Sequence, residues 1–211
     1  MSSVRSASDV FINCPFDDDF APGFRALVFA VLACGFRVRC AREMADGTET
    51  RIDKLYNIIE QSRFSVHDLS RTELDPINKL PRFNMPLELG IFLGAKRFGN
   101  SAQKVKRCLI LDTEPYRFQK FISDLAGMDI TSHGGNVRRI VGCTRDWLAT
   151  VSKRTTIPDR AFVIGSFDRF TNGLPAIARA AGVKPNELIF PDLERLILAW
   201  VKEGQGILAV K

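Results

Sequence analysis

The chain has 211 residues, of which 45% are hydrophobic and 26% are charged, and its formal net charge is +6. This composition predicts a globular protein of one domain, with or without a small appendage, and it excludes wholesale disorder. The longest apolar run, residues 26–36, is shorter than the roughly 18 residues that span a bilayer, which excludes a transmembrane helix. No signal peptide is visible at the N-terminus, so neither secretion nor a membrane partner is expected.

The five cysteines and two histidines bear on metal binding and on the cellular compartment. No cysteine pair has C-x-x-C spacing, so no metal site is predicted. Reduced, buried thiols in a cytoplasmic protein are the simplest interpretation. The basic excess suits either phosphorylated ligands or a solvated surface. Because there is no long Lys/Arg block, a nucleic-acid partner is not expected.

Short apolar segments alternate with amphipathic ones over the first three quarters of the chain. In chain order, the patterns predict a strand over 9–14, a helix over 22–34, a strand over 36–41, a helix over 51–61, a strand over 64–68, a helix over 84–98, a strand over 108–112, a helical segment over 116–125, a short strand from 129 and a helix over 136–151. Such alternation predicts an α/β fold, with a parallel sheet of about five strands and helices on both faces.

The pattern changes after residue 152, where glycines and prolines become frequent. Helices are predicted over 176–181 and 192–202. We therefore divide the chain into an α/β domain, 1–152, and a small helical C-terminal region, 153–211. A DNA-binding helix–turn–helix is not favoured, because acidic residues of the second helix would face phosphates. The aromatic residues of this region suit an assembly surface or, preferably, an intramolecular core: Phe162, Phe167, Phe170 and Trp200.

Parallel sheets bind ligands beyond the carboxyl ends of their strands. The loops to consider are therefore 15–20, 42–50, 69–84 and 113–117. Within the first loop, three consecutive aspartates suit a cation site or, more commonly, a turn and helix cap, and we favour the cap. No G-x-G-x-x-G, Walker-type or G-x-S-x-G motif is present, which argues against dinucleotide-fold redox, NTPase and serine-hydrolase chemistry.

Glu88 is the most informative residue of the sequence. It is the sole charged side chain between residues 85 and 95, in a helix apolar enough to be buried all round. Such a carboxylate either bonds a neighbouring loop without a chemical role or faces a pocket. Desolvation raises its pKa, whereas a place near the helix N-terminus lowers it. Gly90 and Gly94 on the same helix indicate close approach by backbone or ligand.

Asp68 and Ser70 end the third predicted strand at its carboxyl edge. Asp68 suits ribose hydroxyls, because a carboxylate accepts hydrogen bonds from a vicinal diol; it equally suits a loop cap. His67 is more typical of an orienting or core histidine than of a base.

The residues around these positions resemble two related families. Asp9-Val-Phe-Ile-Asn and residues 61–70 resemble Toll/interleukin-receptor (TIR) domains, in which a glutamate-bearing helix follows as the helix with Glu88 does here. Residues 67–70, 83–95 and 108–112 are also similar to nucleoside 2-deoxyribosyltransferases. The resemblance spans roughly residues 9–112.

The resemblance implies a flavodoxin-like sheet and a carboxylate that acts at an N-glycosidic bond. It implies an NAD glycohydrolase or ADP-ribose cyclase of bacterial antiphage defence. NAD would be the substrate, and no cofactor would be permanently bound. It also implies a homo-oligomer and a partner protein of a defence system. Two alternatives stay open: a nucleoside or nucleotide N-glycosidase or deoxyribosyltransferase, and a non-catalytic module that binds a nucleotide signal or a protein.

On this hypothesis Glu88 is the catalytic residue. The remaining candidates bind substrate: Asp68 and Ser70 at the ribose, Asn13, Phe16 and Arg42 at the base and phosphate ends, and Asn84 at no specified part of the substrate. Asn13, Phe16 and Arg42 are assigned from loop position alone. An arginine suits a diphosphate, and a phenylalanine ring suits stacking on a base.

Overall fold

The computed structural model describes residues 8–43, 47–74 and 79–208. Parts of two predicted loops, residues 44–46 and 75–78, lie outside the described residues. So do the outer ends of the two predicted regions, residues 1–7 and 209–211.

Five parallel strands form one sheet in the order β2-β1-β3-β4-β5. The strands are β1 (Asp9–Asn13), β2 (Arg37–Arg39), β3 (Phe64–Asp68), β4 (Arg107–Asp112) and β5 (Ile130–Ser132). This is the flavodoxin-like order, and it confirms the predicted fold class. The chain leaves β1 toward β2 on one side and returns to β3 on the other. The register pairs Asn13 with His67, so the ends of β1 and β3 meet at this reversal point.

Seven α-helices connect or flank the strands within the described residues. They are α1 (Ala21–Ala33), α2 (Arg51–Gln61), α3 (Asn84–Phe98), α4 (Ser101–Lys104), α5 (Val137–Ser152), α6 (Arg160–Ala180) and α7 (Phe190–Leu208). Successive side chains of β1 point to opposite faces of the sheet, and both faces are covered. Val10 and Ile12 pack toward α1, whereas Phe11 packs with Ile58 of α2 and Phe92 of α3.

Local signals account for several helix ends. Gly35 has a φ of +75° and follows the last turn of α1. The amides of Gly35 and Phe36 donate to the carbonyls of Leu32 and Val31, which is a Schellman motif and confirms the predicted C-cap glycine. Thr50 caps α2 by accepting from the amide of Asp53. A polar cap therefore begins α2, and a left-handed glycine ends α1.

Three predicted elements differ from the structure. The predicted helical segment 116–125 is two short 3₁₀ turns, Arg117–Lys120 and Ser123–Leu125, and the short α4 was missed. The C-terminal helices are longer than predicted, because α6 runs through glycines and through Pro175. Its buried stripe packs on the core, and this burial outweighs the lost backbone hydrogen bond at Pro175.

The C-terminal helices pack on α1. Phe29 of α1 lies with its ring centroid 5.5 Å from those of both Phe167 and Phe170 of α6. Trp200 of α7 lies 5.9 Å from Phe170 and donates its indole N–H to Ser166. These aromatics therefore belong to the same core as α1, and the boundary between residues 152 and 153 stays a prediction.

Over the described residues, none of the helices combines the length and the apolar character that crossing a membrane requires.

Candidate functional site

A cavity of about 470 Å³ opens where β1 ends and α3 begins. Its volume lies in the range of small-molecule sites. The lining comes from the end of β1, the turn after it, the start of α2 and the first turns of α3: Asn13, Cys14, Pro15, Phe16, Asp17, Arg51, Arg82, Asn84, Met85 and Glu88. Four predicted site residues, Asn13, Phe16, Asn84 and Glu88, thus meet at one cavity.

Glu88 is 5% exposed and lines the cavity. Among the described residues, its carboxylate has no hydrogen-bond or salt-bridge partner. Burial raises its pKa to about 7, and the nearby positive charge of Arg51 opposes this shift. A half-ionised, unpaired carboxylate beside a cavity has a pKa matched to chemistry near neutral pH.

Asn13 fixes the start of α3 against the sheet. Its side-chain amide donates to the carbonyl of Met85 at 2.8 Å and to Nδ1 of His67 at 2.9 Å. Nε2 of His67 then donates to the hydroxyl of Ser65. Because both amide hydrogens of Asn13 are used, its Oδ1 is the polar atom left for a ligand.

His67 has an orienting role, as the sequence indicated. It is fully buried beneath Asn13, and burial lowers its pKa to about 3. The ring is therefore neutral at physiological pH and acts as a hydrogen-bond relay between strands rather than as a base.

Phe16 forms one wall of the cavity, and Arg42 stands behind it. The Arg42 guanidinium lies 4.9 Å from the centroid of the Phe16 ring and donates to the Phe16 carbonyl at 2.6 Å. The ring also packs edge-on against Phe24. Arg42 itself is not among the lining residues, so the structure places it as a support for Phe16.

Sequence reasoning missed two cations of the cavity, Arg51 and Arg82. Arg51 is the first residue of α2 and has no ion-pair partner in the described part of the chain. Arg82 pairs with Asp17 at 2.6 Å. Both residues adjoin or lie within loops that the carboxyl-edge rule had selected, 42–50 and 69–84. That rule selected the loops, but nothing in the sequence indicated which of their many charges face the cavity.

Asp17 confirms the turn predicted for the three aspartates, but it does not cap the following helix, because the N-cap position of α1 is Phe20 and makes no side-chain cap bond. Its carboxylate accepts from the amide of Phe20 and caps the short 3₁₀ turn that precedes α1. It also lines the cavity and holds Arg82 there.

Cys14 is the lining residue with nucleophilic potential, and its environment suppresses it. Burial, reinforced by the negative charge of Asp68, raises the pKa of the Cys14 thiol well above its ordinary value. The thiol therefore stays protonated, and a thiolate mechanism is not supported.

Asp68 and Ser70 lie outside the cavity lining, in a buried cluster with His133. Asp68 accepts from the amide of Ser70 at 2.9 Å, and the Ser70 hydroxyl lies 2.8 Å from Nε2 of His133. The Asp68 carboxylate approaches the same nitrogen at 3.2 Å, without hydrogen-bond geometry. The ribose-holding role predicted for Asp68 and Ser70 therefore has no geometric support.

This cluster also differs from a nucleophilic triad. Nδ1 of His133 accepts from the amide of Gly135, so its Nε2 carries the proton. That proton faces both Ser70 and Asp68, whereas a triad histidine needs an unprotonated nitrogen toward the serine. The cluster instead joins the end of β3 to the loop before α5.

Within the described ranges, no group of three or more His, Cys, Asp or Glu side chains is placed to hold a metal ion. Comparison of the chain with models of protein families, with curated proteins and with solved structures gave no match.

Proposed function

We propose that this protein cleaves the N-glycosidic bond between nicotinamide and ribose in NAD, with Glu88 as the catalytic residue. The observation that carries the proposal is the Glu88 carboxylate, which is buried, lacks a partner among the described residues and lines a cavity at the sheet reversal point. Burial of a carboxylate without a partner costs free energy, because the group loses hydration without a compensating bond. Carboxylates in such surroundings cluster at functional sites.

The chemistry needs little more than such a group. The C1′–N bond breaks, its electron pair moves to the pyridine nitrogen, and nicotinamide leaves as a neutral base. Positive charge develops on the ribose, and a preorganised carboxylate stabilises it electrostatically. Water then adds to C1′ and loses a proton, giving ADP-ribose, or a nitrogen of the adenine ring adds and gives a cyclic product.

The other lining residues supply binding. Asn13 offers its Oδ1 as a hydrogen-bond acceptor, and the Phe16 ring offers a stacking surface. Arg51 and Arg82 place two guanidinium groups at the same cavity, which suits a diphosphate. These two cations favour a phosphorylated substrate such as NAD over an uncharged nucleoside.

Two alternative functions can be distinguished from NAD cleavage by what the protein releases. A nucleoside or nucleotide N-glycosidase or deoxyribosyltransferase would release another free base and leave NAD intact. A non-catalytic module would show thermal stabilisation by a nucleotide without turnover. A homo-oligomeric active form, a partner protein and a setting in antiphage defence are part of this proposal and rest on the resemblance alone.

The decisive experiment incubates NAD with concentrated protein and separates the products by chromatography, for the wild type and for Glu88→Gln. Nicotinamide is expected from the wild type, at least about a hundredfold faster than from Glu88→Gln. The exposed Glu187→Gln is the matched control and should retain the wild-type rate. Equal nicotinamide release by Glu88→Gln, or intact NAD with both proteins, contradicts the proposal.

A further inference from the structure

The outer face of α3 is apolar and uncovered. Phe83, Leu87 and Phe98 are 64%, 56% and 87% exposed on this face. Gly90 and Gly94 lie between them, and a methyl group added at either would meet no atom within 4 Å beyond its chain neighbours and the nearby backbone of α3. The sequence predicted a helix buried all round, and this was wrong: α3 buries the face with Met85, Glu88, Leu89 and Phe92, whereas the apolar side chains of its other face are largely exposed.

A cluster of cations adjoins the C-terminal end of this face. Residues 89–111 contain five Lys or Arg and no Asp or Glu. Three of the five, Arg97, Lys104 and Arg107, are exposed and form no salt bridge with any described residue. Exposed Arg63 adjoins them, because its carbonyl accepts from the amide of Arg107 at 3.1 Å.

These like charges interact unfavourably. The pKa of Lys96 is lowered, first by burial and then by the positive charge of Arg107. Glu60 is an acid beside this cluster, because its carbonyl accepts from the side chain of Gln103. The cations outnumber it, and a negatively charged partner reduces their mutual repulsion.

We propose that the outer face of α3, together with the exposed cations at its C-terminal end, docks the protein on an anionic phospholipid bilayer. Phe83, Leu87 and Phe98 enter the boundary between headgroups and acyl chains, as the apolar face of an interfacial helix does. Arg97, Lys104 and Arg107 face the phosphate and carboxylate groups of the lipids, and each such cation contributes on the order of 1 kcal/mol near an anionic surface.

This surface lies on the protein exterior and needs no spanning helix. It therefore revises the expectation that no membrane partner exists, an expectation that rested on the absence of a long apolar run and of a visible signal peptide. Docking is independent of the chemistry proposed for Glu88.

Charge disfavours a second copy of the chain as the occupant. Antiparallel pairing of two α3 helices across Gly90 and Gly94 would set Leu87 opposite Gly94, which is sterically suitable. It would also bring Arg97 of one copy near Arg82 of the other, whose charge is already paired with Asp17. Among the described residues of this face, a second copy therefore offers the exposed cations no further acid.

A single-stranded nucleic acid fits less well than a bilayer. Its bases need aromatic platforms at successive positions, and the two aromatic residues of this face, Phe83 and Phe98, stand about 22 Å apart along the helix. An aliphatic leucine and two glycines separate them.

The test is flotation of the full-length protein with vesicles of pure phosphatidylcholine and with vesicles that also contain phosphatidylserine. The wild type is expected to float with the phosphatidylserine vesicles alone and to be released by salt. The double variant Leu87→Ser, Phe98→Ser and the double variant Arg97→Glu, Lys104→Glu should each bind at least about tenfold more weakly. Because all four side chains are on the surface, both variants should fold.

Matched controls remove the same chemistry elsewhere. Ile189→Ser removes another exposed apolar side chain, and the double variant Lys120→Glu, Arg179→Glu reverses two distant exposed cations. Both controls, and Glu88→Gln, should bind vesicles as the wild type does. Failure of the wild type to float, or equal loss in the controls, overturns the proposal. So does preferential binding to single-stranded DNA or to poly-glutamate, or a dimer in sedimentation that Leu87→Ser dissolves.

Discussion

The Glu88 side chain shows how two opposing effects on one carboxyl group are decided. The sequence predicts desolvation and the positive end of a helix as competitors. The structure begins α3 at Asn84, which places Glu88 beyond the first turn, where the helix dipole has little effect. Burial therefore dominates, and the pKa of Glu88 rises to about 7.

The first prediction concerns the pH dependence of the proposed reaction. Because the ionised carboxylate stabilises the positive ribose, the rate should rise with pH and level off above about 7. Arg51 lowers the pKa of Glu88, so Arg51→Gln should move this limb to higher pH. A pH profile of kcat measures both effects. Arg179→Gln, far along α6, serves as the control, and an unchanged limb in Arg51→Gln would contradict the role of Arg51.

The second prediction concerns stability and needs no activity. The folded protein keeps the Glu88 proton up to pH about 7, whereas the unfolded chain releases it near 4.5. The folded state thus binds more protons between these values, and the free energy of unfolding falls as pH rises through this window, by at most about 3 kcal/mol. Urea denaturation should show that Glu88→Gln is more stable than the wild type at neutral pH and gains nothing below about pH 4.5. Equal gains at both pH values would refute this assignment.

At the scale of elements, one buried amide joins β1, β3 and α3. Asn13 bonds the Met85 carbonyl and His67, and the register of β1 on β3 sets His67 directly beside it. Strand pairing thereby fixes the first turn of the helix that carries Glu88. This explains why the residue that ends β1 matters to a site built on α3.

The third prediction follows from this junction. Asn13→Ala leaves a buried carbonyl and a buried imidazole nitrogen without their donor, so the free energy of unfolding should fall by about 2 kcal/mol. The proposed reaction should also slow, because α3 loses its anchor. Asn100→Ala, which removes the exposed cap of the short α4, is the control and should lose about 1 kcal/mol at most. A stable Asn13→Ala variant with full activity would show that packing alone holds α3.

For the whole molecule, the C-terminal helices complete the core on one face of the sheet. Phe29 would be exposed on α1 without Phe167 and Phe170 above it. An apolar face of this kind needs a covering layer, and α6 and α7 supply it. The packing favours joint unfolding of the two predicted regions.

The fourth prediction tests that joint unfolding. Phe170→Ala should lower the free energy of unfolding by about 3 to 5 kcal/mol, whereas the exposed Phe98→Ala should change it by less than about 0.5 kcal/mol. Trp147 of α5 and Trp200 of α7 report on both regions by fluorescence, beside far-UV circular dichroism. A single coincident transition is expected in urea. Two separate transitions would show that residues 153–211 unfold independently.

Local sequence patterns predicted much of the fold. The predicted bounds of α2, α3 and β3 match the structure, because apolar periodicity is a local property of each segment and because Thr50 caps α2. Only the last turn of α6 was predicted. Its first part, residues 160–175, escaped prediction because its stability comes from burial of Phe167 and Phe170 on α1, a contact more than a hundred residues distant in sequence. The glycines and the proline inside α6 indicated breaks in the helix rather than one continuous helix.

The sequence by itself determined the parallel α/β fold, and it determined that Glu88 is a lone acid in an apolar helix. Periodicity and composition are local properties, so they can be read along the chain. Only the tertiary structure decided that Arg51 and Arg82 line the same cavity as Glu88, and that Asp68 and Ser70 lie against His133 outside that cavity. The direction of a loop side chain depends on which partner the fold brings within hydrogen-bond distance, and that partner lies far away in sequence.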